Sequence, residues 1–119
     1  MARGVVYAGR GRFGGAVAYA YAQLGSRYVH GGAGRRQFDC SGLMMRAYAR
    51  AGLRLPHSSA GQAARARPIP RSRARPGDLV VGSGHVGIYV GGGYMIDAGN
   101  PRVGVSKRRL YRGLRVERF

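Results

Sequence analysis

The stretch Phe38-Asp39-Cys40-Ser41-Gly42 contains the single cysteine of this 119-residue chain and marks the start of its central predicted helix. It follows a glycine-rich loop and opens a segment in which apolar residues recur with a helical period, at Leu43, Met44, Ala47, Tyr48 and Ala51. Gly52 is a typical residue for ending such a helix. A cysteine in the first turn of a helix lies near unpaired N–H groups and the positive end of the helix dipole, and both favour the thiolate. The sequence therefore predicts that Cys40 is a nucleophile.

The rest of the chain predicts helices first and strands afterwards. Helices are expected over residues 14–24, 39–51 and 58–66, with loops over residues 26–38 and 68–76. Strands are expected over residues 78–81, 86–90, 94–98, 103–107 and 114–118. This order is typical of an α+β fold, with the cysteine helix packed on a five-stranded antiparallel sheet. Residues 1–13 are predicted to form a flexible basic arm or an edge strand, and residues 14–119 a single catalytic domain.

Composition restricts the classes of partner. Twenty arginines and one lysine, against three aspartates and one glutamate, give a net charge of +17, which attracts polyanions. The sequence has no apolar run near the roughly 20 residues of a membrane span, and no secretion signal is visible. A single cysteine excludes an internal disulfide and a cysteine-based metal cluster. No metal and no cofactor are expected.

A cysteine nucleophile needs a base within reach and a group that orients that base. Among the three histidines, His85 begins a strand directly after a tight glycine turn, where a side chain can face a cleft. Counting outward along the next hairpin places His85 close to Asp97 or Gly99. A carboxylate beside the imidazole fixes its tautomer and stabilises the imidazolium. The residues thus predict a catalytic group of Cys40, His85 and Asp97, whereas His57 is expected to be an exposed loop residue.

Four segments occur in the following order: Phe38-Asp39-Cys40-Ser41-Gly42-Leu43; Leu55-Pro56 with Gln62; Pro76-Gly77-Asp78-Leu79-Val80; and Gly84-His85-Val86-Gly87-Ile88-Tyr89, followed by Met95-Ile96. Together they resemble the NlpC-type cell-wall peptidase family, over about residues 16–105. The resemblance implies a papain-like core and a thiol protease that hydrolyses D-γ-glutamyl to diamino-acid bonds in peptidoglycan stem peptides. It places the family's catalytic residues on Cys40, His85 and Asp97, the last being often histidine in relatives.

The resemblance also implies a substrate-binding surface around the nucleophile. Tyr28 resembles a tyrosine that lies near the cysteine, while Asp39 and Ser41 resemble positions that some relatives use to hold the amino end of the stem peptide. Asp39 is equally well explained as the N-cap of the cysteine helix. His30 stands where the family usually has tryptophan, so it is expected to form a different cleft wall. The short link Gly82-Ser83-Gly84 is expected to open that side of the site.

Three other functions stay open on the sequence. They are a non-catalytic basic protein that binds nucleic acid or an anionic cell-wall polymer, an amidase, and an acyltransferase on the same core. No motif for specific nucleic-acid recognition is present, so no specific nucleic-acid partner is expected. We expect a monomer that acts on peptidoglycan stem peptides outside the cell or in the cell wall, with anionic wall polymers as further partners. Since no signal is visible, delivery as a phage protein or as an antibacterial effector also fits.

Overall fold

The computed structural model describes residues 11–119. Their helices are α1 (Gly14–Ala22), α2 (Cys40–Ala49) and α3 (Ser59–Ala63), with a 3-10 turn at Arg71–Arg73. Their strands are β1 (Arg27–Tyr28), β2 (Ala33–Gly34), β3 (Gln37–Phe38), β4 (Arg67–Ile69), β5 (Leu79–Gly82), β6 (His85–Gly91), β7 (Tyr94–Ala98), β8 (Val105–Arg109) and β9 (Arg115–Arg118). The predicted α+β class is confirmed. Most of the predicted N-terminal arm falls on residues 1–10, outside the described residues. No helix within residues 11–119 is long and apolar enough to cross a membrane.

The main sheet has six strands in the order β4-β9-β5-β6-β7-β8, and each neighbouring pair is antiparallel. The expectation of five strands was wrong, because β4 lies in part of the chain that was predicted to be a loop. Pro68 in β4 lies opposite Glu117 of β9. Proline has no N–H to donate, but an edge strand tolerates it because one side of the strand faces no partner.

The segment before α2 was also predicted to be a loop, but it contains a small three-stranded sheet. β3 pairs in parallel with β1 and antiparallel with β2. The β2–β3 turn holds Arg35 and Arg36, whose φ angles are +56° and +60°. Tight hairpins of this kind usually have asparagine or glycine at such positions, so two arginines give no turn signal. The Arg36 guanidinium donates to the carbonyls of Ala22 and Leu24, which ties the turn to the end of α1.

The main core lies between the helices and one face of the large sheet. Its α2 contribution is the predicted apolar face, with Leu43, Met44, Ala47 and Tyr48 all fully buried. The Tyr48 hydroxyl donates to the Gly77 carbonyl at 2.6 Å, which joins the helix to the turn before β5.

A close backbone approach fixes the start of α2 against the glycine-rich loop. A Cβ added at Gly42 would overlap the carbonyl oxygen of Gly32. The Asp39 N–H also donates to that oxygen, at 3.0 Å. The second position after the nucleophile therefore has to be glycine for the helix to lie this close to the loop.

The β6–β7 hairpin carries the residues predicted to act on Cys40. Ile88 pairs with Ile96 and Tyr89 with Met95, but the register then shifts, so that Gly91 pairs with Tyr94. Val90 is the extra residue of this β-bulge, whereas the sequence placed it beside Tyr94. Because side chains alternate along a strand, Ile88 and Ile96 face the helices. Tyr89 and Met95 face the opposite side, in a second buried cluster with Val80 and Leu114.

Candidate active site

Cys40 is the first residue of α2, and Asp39 is the N-cap of that helix. The Gly42 N–H donates to Asp39 Oδ1 at 2.7 Å, and the Gly31 N–H donates to Oδ2 at 3.0 Å. Of the two explanations given for Asp39, the structure shows the capping role directly. The carboxylate joins the glycine-rich loop to the helix start, and this fixes the position of the neighbouring cysteine.

The surroundings of Cys40 favour the thiolate. Burial acts to raise the pKa of the thiol, but a side-chain hydrogen bond from His85, the Val86 backbone N–H and the His85 charge outweigh it. The pKa therefore lies below that of an ordinary thiol, although the nearby Asp39 carboxylate opposes the shift. The helix terminus was the predicted cause of a low thiol pKa, whereas the groups that lower it here belong to β6.

His85 lies between the nucleophile and a buried carboxylate. Its Nε2 is 2.6 Å from Asp97 Oδ2, and the Asp97 side chain is fully buried. Because Nε2 is occupied by Asp97, Nδ1 is the nitrogen left for the Cys40 sulfur. The hydrogen bonds to Asp97 and then to Cys40 raise the pKa of His85 to about 9, against the effect of burial. The structure therefore brings the three predicted catalytic residues together in one line of contacts.

Arg108 is a fourth member of this cluster and was not among the predicted site residues. Its Nε donates to Asp97 Oδ1 at 3.1 Å and its Nη2 to Oδ2 at 2.6 Å. Burial acts to raise the pKa of Asp97, but the hydrogen bonds from His85 and Arg108 and their charges hold it below its usual value. The predicted strand ended at residue 107, two residues before the end of β8, and so left out Arg108. In β8, Arg108 lies opposite Met95 and therefore diagonal to Asp97.

Three of the four predicted substrate-binding residues lie near the start of α2, and the fourth, His30, is exposed in a turn. Tyr28 is half-buried in β1, and burial together with the charges of Cys40 and Asp39 raises its pKa. Ser41 donates weakly to Asp39 Oδ1 at 3.4 Å, and only 7% of the residue is exposed. His30 is exposed in the turn after β1 and makes no side-chain hydrogen bond within residues 11–119. Tyr28, Asp39 and Ser41 thus surround the first turn of α2, and their role toward substrate stays a prediction.

His57 lies in a loop as expected, but its side chain is held in place. Its Nε2 is 2.8 Å from Asp39 Oδ1, and 31% of the side chain is exposed. Burial acts to raise the pKa of Asp39, while the hydrogen bonds from His57, Gly42 and Gly31 lower it by more. The Pro-His-Ser sequence contains no signal for this long-range contact, because it depends on how the loop after α2 folds back.

A cavity of about 250 Å³ opens beside His85, on the side of the short β5–β6 turn. Its lining consists of Gly82, Ser83, His85, Tyr111, Arg112, Gly113 and Leu114. The turn is short, as the sequence indicated, since Gly82 pairs directly with His85. Within residues 11–119, no group of three or more histidine, cysteine or acidic side chains is placed to bind a metal ion.

A model of the NlpC/P60 family matches residues 25–118. The chain belongs to the NlpC/P60 family. A probable endopeptidase p60 of Listeria grayi is 45% identical over 94 residues, which are 75% of this chain and 18% of that protein. The peptidoglycan hydrolase RipB of Mycobacterium tuberculosis has a similar structure, with a TM-score of 0.78, 29% identity, and 90% of this chain and 64% of that chain covered.

A second NlpC/P60 neighbour shows that the fold alone does not establish catalysis. RipD of Mycobacterium tuberculosis has a TM-score of 0.79 and 28% identity, and covers 92% of this chain and 98% of its own. It is described as a non-catalytic NlpC/P60 domain adapted to peptidoglycan binding. The predicted family and papain-like fold are confirmed by these matches. The activity of this chain, which spans less than a fifth of the Listeria relative, has to be argued from its own residues.

Proposed function

We propose that this protein is a cysteine endopeptidase that hydrolyses peptide bonds in peptidoglycan stem peptides, at the bond between D-γ-glutamate and a diamino acid. The observation that carries the proposal is the unbroken line of contacts from the Cys40 thiol through His85 to the buried Asp97. The NlpC/P60 membership and the peptidoglycan hydrolase RipB support the substrate class. We further propose that residues 14–119 act as one catalytic unit, since α1 packs against α2.

The mechanism starts from a Cys40 thiolate and a His85 imidazolium, because the pKa of the thiol is lowered and that of the imidazole is raised. The Cys40 thiolate attacks the γ-glutamyl carbonyl carbon, and a C–S bond forms as the carbonyl π electrons move to oxygen. When the intermediate collapses, the C–N bond breaks and the His85 imidazolium gives its Nδ1 proton to the leaving amine. Water then attacks the thioester carbon while His85 takes one of its protons, and the C–S bond breaks. This restores the thiolate and the imidazolium and releases the γ-carboxylic acid, which loses its remaining proton to solvent as the carboxylate. Asp97 keeps the Nε2 proton in place throughout.

The backbone N–H of Cys40 is suited to stabilise the oxyanion. It belongs to the first residue of α2, where an N–H has no partner within the helix. The helix dipole also favours negative charge at this end. A donor of this kind typically lowers the barrier by about 3–4 kcal/mol.

Digestion of purified peptidoglycan tests this function. Wild type and Cys40→Ala are incubated with sacculi, and the released fragments are identified by mass. We expect the wild type to release fragments that end in D-γ-glutamate, and Cys40→Ala to release none. Equal release by Cys40→Ala would overturn the mechanism. Cleavage of the amide bond between the sugar and the stem peptide would instead support the amidase alternative. Transfer of an acyl chain would support the acyltransferase alternative.

The charge distribution favours binding to anionic wall polymers as a second activity. Every carboxylate side chain of the sequence lies against a basic side chain: Asp39 against His57, Asp78 against Arg118, Asp97 against Arg108, and Glu117 against Arg115. Three of the four are buried, and the Asp39 side chain is 15% exposed. The outer surface of residues 11–119 therefore carries cationic side chains with almost no acidic ones, which fits a protein that acts at the wall or outside the cell.

Co-sedimentation measures this second activity. Cys40→Ala is mixed with sacculi that either retain or lack their anionic polymers, at increasing salt concentration. We expect binding to the polymer-bearing sacculi that weakens steeply with salt. Equal binding to both preparations would exclude the polymer as the partner.

A further inference from the structure

The cavity beside His85 has a buried apolar residue at its base and an exposed arginine at its edge. Leu114 is buried at 7% exposure, while Tyr111 and Arg112 are exposed. The Arg112 side chain makes no hydrogen bond or ion pair within residues 11–119. None of the residues that line the cavity is acidic. Arg112 thus lines the same cavity as His85, and its guanidinium has no partner among the described residues.

The loop that carries Arg112 is held from both ends. Arg71 Nη2 donates to the carbonyls of Tyr111 and Leu114, at 2.7 and 3.0 Å. The Leu110 N–H donates to the Gly93 carbonyl at 2.9 Å. The Arg108 guanidinium lies 5.1 Å from the centre of the Tyr111 ring while it also binds Asp97, so the loop is joined to the catalytic cluster itself. The position of Arg112 is therefore preorganised by contacts that do not involve its own side chain.

The direction of the reaction places the leaving group at this cavity. His85 has to come within about 3 Å of the leaving nitrogen to protonate it, so the residue that departs begins beside His85. Asp39, Tyr28 and Ser41 lie together around the first turn of α2, where the one partly exposed carboxylate of the cluster is found. The two sides of the nucleophile thus carry opposite charges, with Arg112 at the cavity beside His85 and the Asp39 carboxylate at the start of α2.

We propose that the cavity lined by Tyr111, Arg112 and the β5–β6 turn is a subsite for a carboxylate on the leaving amino acid. This proposal rests on the function proposed above and specifies the substrate that this site prefers. Guanidinium groups bind carboxylates with two parallel hydrogen bonds, which is the ligand chemistry that an unpaired arginine provides. The carboxylate is either the α-carboxylate of the leaving residue or the side-chain carboxylate of a dicarboxylic diamino acid such as meso-diaminopimelate.

Three synthetic peptides separate these two sources. Each begins with L-Ala-γ-D-Glu, and they continue with L-lysine amide, with free L-lysine, or with meso-diaminopimelate whose α-carboxylate is amidated. The first has no carboxylate on the leaving side, the second has only the α-carboxylate, and the third has only the side-chain carboxylate. Hydrolysis is measured for wild type, Arg112→Gln and Arg112→Lys. Arg65→Gln is the matched control, because it removes the same charge from a cavity that shares no lining residue with this one.

We expect the kcat/KM of the wild type for one carboxylate-bearing peptide to be about tenfold higher than for the lysine amide. A tenfold preference corresponds to the smallest free energy that is typical of a hydrogen bond to a charged group. Arg112→Gln should remove this preference through KM while leaving hydrolysis of the lysine amide unchanged, and Arg112→Lys should retain part of it. Equal cleavage of all three peptides by wild type would overturn the proposal. A preference that survives in Arg112→Gln, or that falls equally in Arg65→Gln, would also overturn it.

A binding measurement separates failure of the subsite from failure of the catalytic proposal. Cys40→Ala is titrated with free meso-diaminopimelate and with lysine amide, and the backbone amide shifts of Ser83 and Gly113 are followed by NMR. We expect saturable shifts with the dicarboxylic compound that are lost in Cys40→Ala/Arg112→Gln. If the wild type cleaves no peptide but these shifts occur, the catalytic proposal fails and the anion site stands. If peptides are cleaved but no shifts occur with either compound, the subsite fails and the peptidase stands.

Discussion

Replacing Asp97 by asparagine tests the effect of its negative charge. The hydrogen-bond donors His85 and Arg108 determine the orientation of the asparagine amide. Oδ2 of Asp97 accepts from both His85 and Arg108 Nη2, whereas Oδ1 accepts only from Arg108 Nε. An asparagine keeps two of these three hydrogen bonds when its oxygen takes the Oδ2 position. The Nε2 proton of His85 then stays where it was, and the tautomer needed for proton transfer is retained. The variant therefore loses the negative charge and the hydrogen bond from Arg108 Nε, but it keeps the contact with His85.

The size of the effect follows from the pKa of His85. Its rise from 6.5 to about 9 corresponds to roughly 3 kcal/mol, and the hydrogen bond to Asp97 is the largest cause of this rise. Loss of one neighbouring charge typically shifts a pKa by about 1–3 units. In Asp97→Asn the pKa of His85 should therefore fall to roughly 6–8. The imidazolium that protonates the leaving amine would then be scarce at pH 8.5, where it is abundant in the wild type.

The assay is the pH dependence of kcat/KM on a soluble stem peptide. The sign is fixed, since activity requires the protonated imidazole and is lost as pH rises through the pKa of His85. We expect the alkaline limb near pH 9 in wild type to move down by at least about one unit in Asp97→Asn, which lowers activity at pH 8.5 by about threefold or more. Circular dichroism checks that the fold is retained. An alkaline limb that stays near pH 9 in a folded Asp97→Asn would refute the argument, because another group would then have to hold the imidazolium.

Three further predictions use other measurements. The rate of Cys40 alkylation by iodoacetamide should titrate below the pH of an ordinary thiol, and His85→Ala should move that titration upward; an unchanged profile would contradict the pairing. Arg108→Gln should lower the free energy of unfolding by about 1–2 kcal/mol, because a buried carboxylate loses a half-exposed partner. Since Arg108 lowers the pKa of Asp97, acid unfolding of this variant should begin at a higher pH, as melting curves between pH 3 and 7 would show; Arg108→Lys should be intermediate. Gly42→Ala should cost about 3 kcal/mol or more in urea unfolding, because its methyl group would meet a backbone carbonyl, and wild-type stability would contradict this packing.

The candidate catalytic residues could be predicted because their positions depend on short-range regularities. Asp39 and Cys40 start a helix whose apolar period is visible in the sequence. His85 and Asp97 lie on one hairpin, where counting from the turn limits the partners of each residue to two or three. The contacts of His57 and Arg108 were not predicted, because each depends on a longer-range feature. The His57–Asp39 contact depends on how the loop after α2 folds back, and the Arg108–Asp97 contact depends on where β8 ends.

The missed strands have physical causes as well. β4 contains Pro68 and gains its pairing only from β9, which lies almost 50 residues further along the chain. No local pattern can report such a partner. The small sheet before α2 depends on Arg35 and Arg36 in left-handed conformations, for which arginine has no preference. In both places the tertiary structure stabilises a backbone that the local sequence does not favour.

The bulge at Val90 determines which face of the sheet the catalytic carboxylate occupies. With the extra residue, the pairing beyond the bulge continues so that Gly87 lies opposite Asp97, and His85 and Asp97 project from the same face. If Val90 instead paired with Met95, continuing the register of Gly91 and Tyr94, the pairing would shift by one residue and His85 and Asp97 would project from opposite faces. An unbulged pairing of the same residues would therefore place an apolar side chain, and not a carboxylate, behind the imidazole. The bulge absorbs one residue at a site remote from the nucleophile, and this keeps the carboxylate on the side of the sheet where His85 lies.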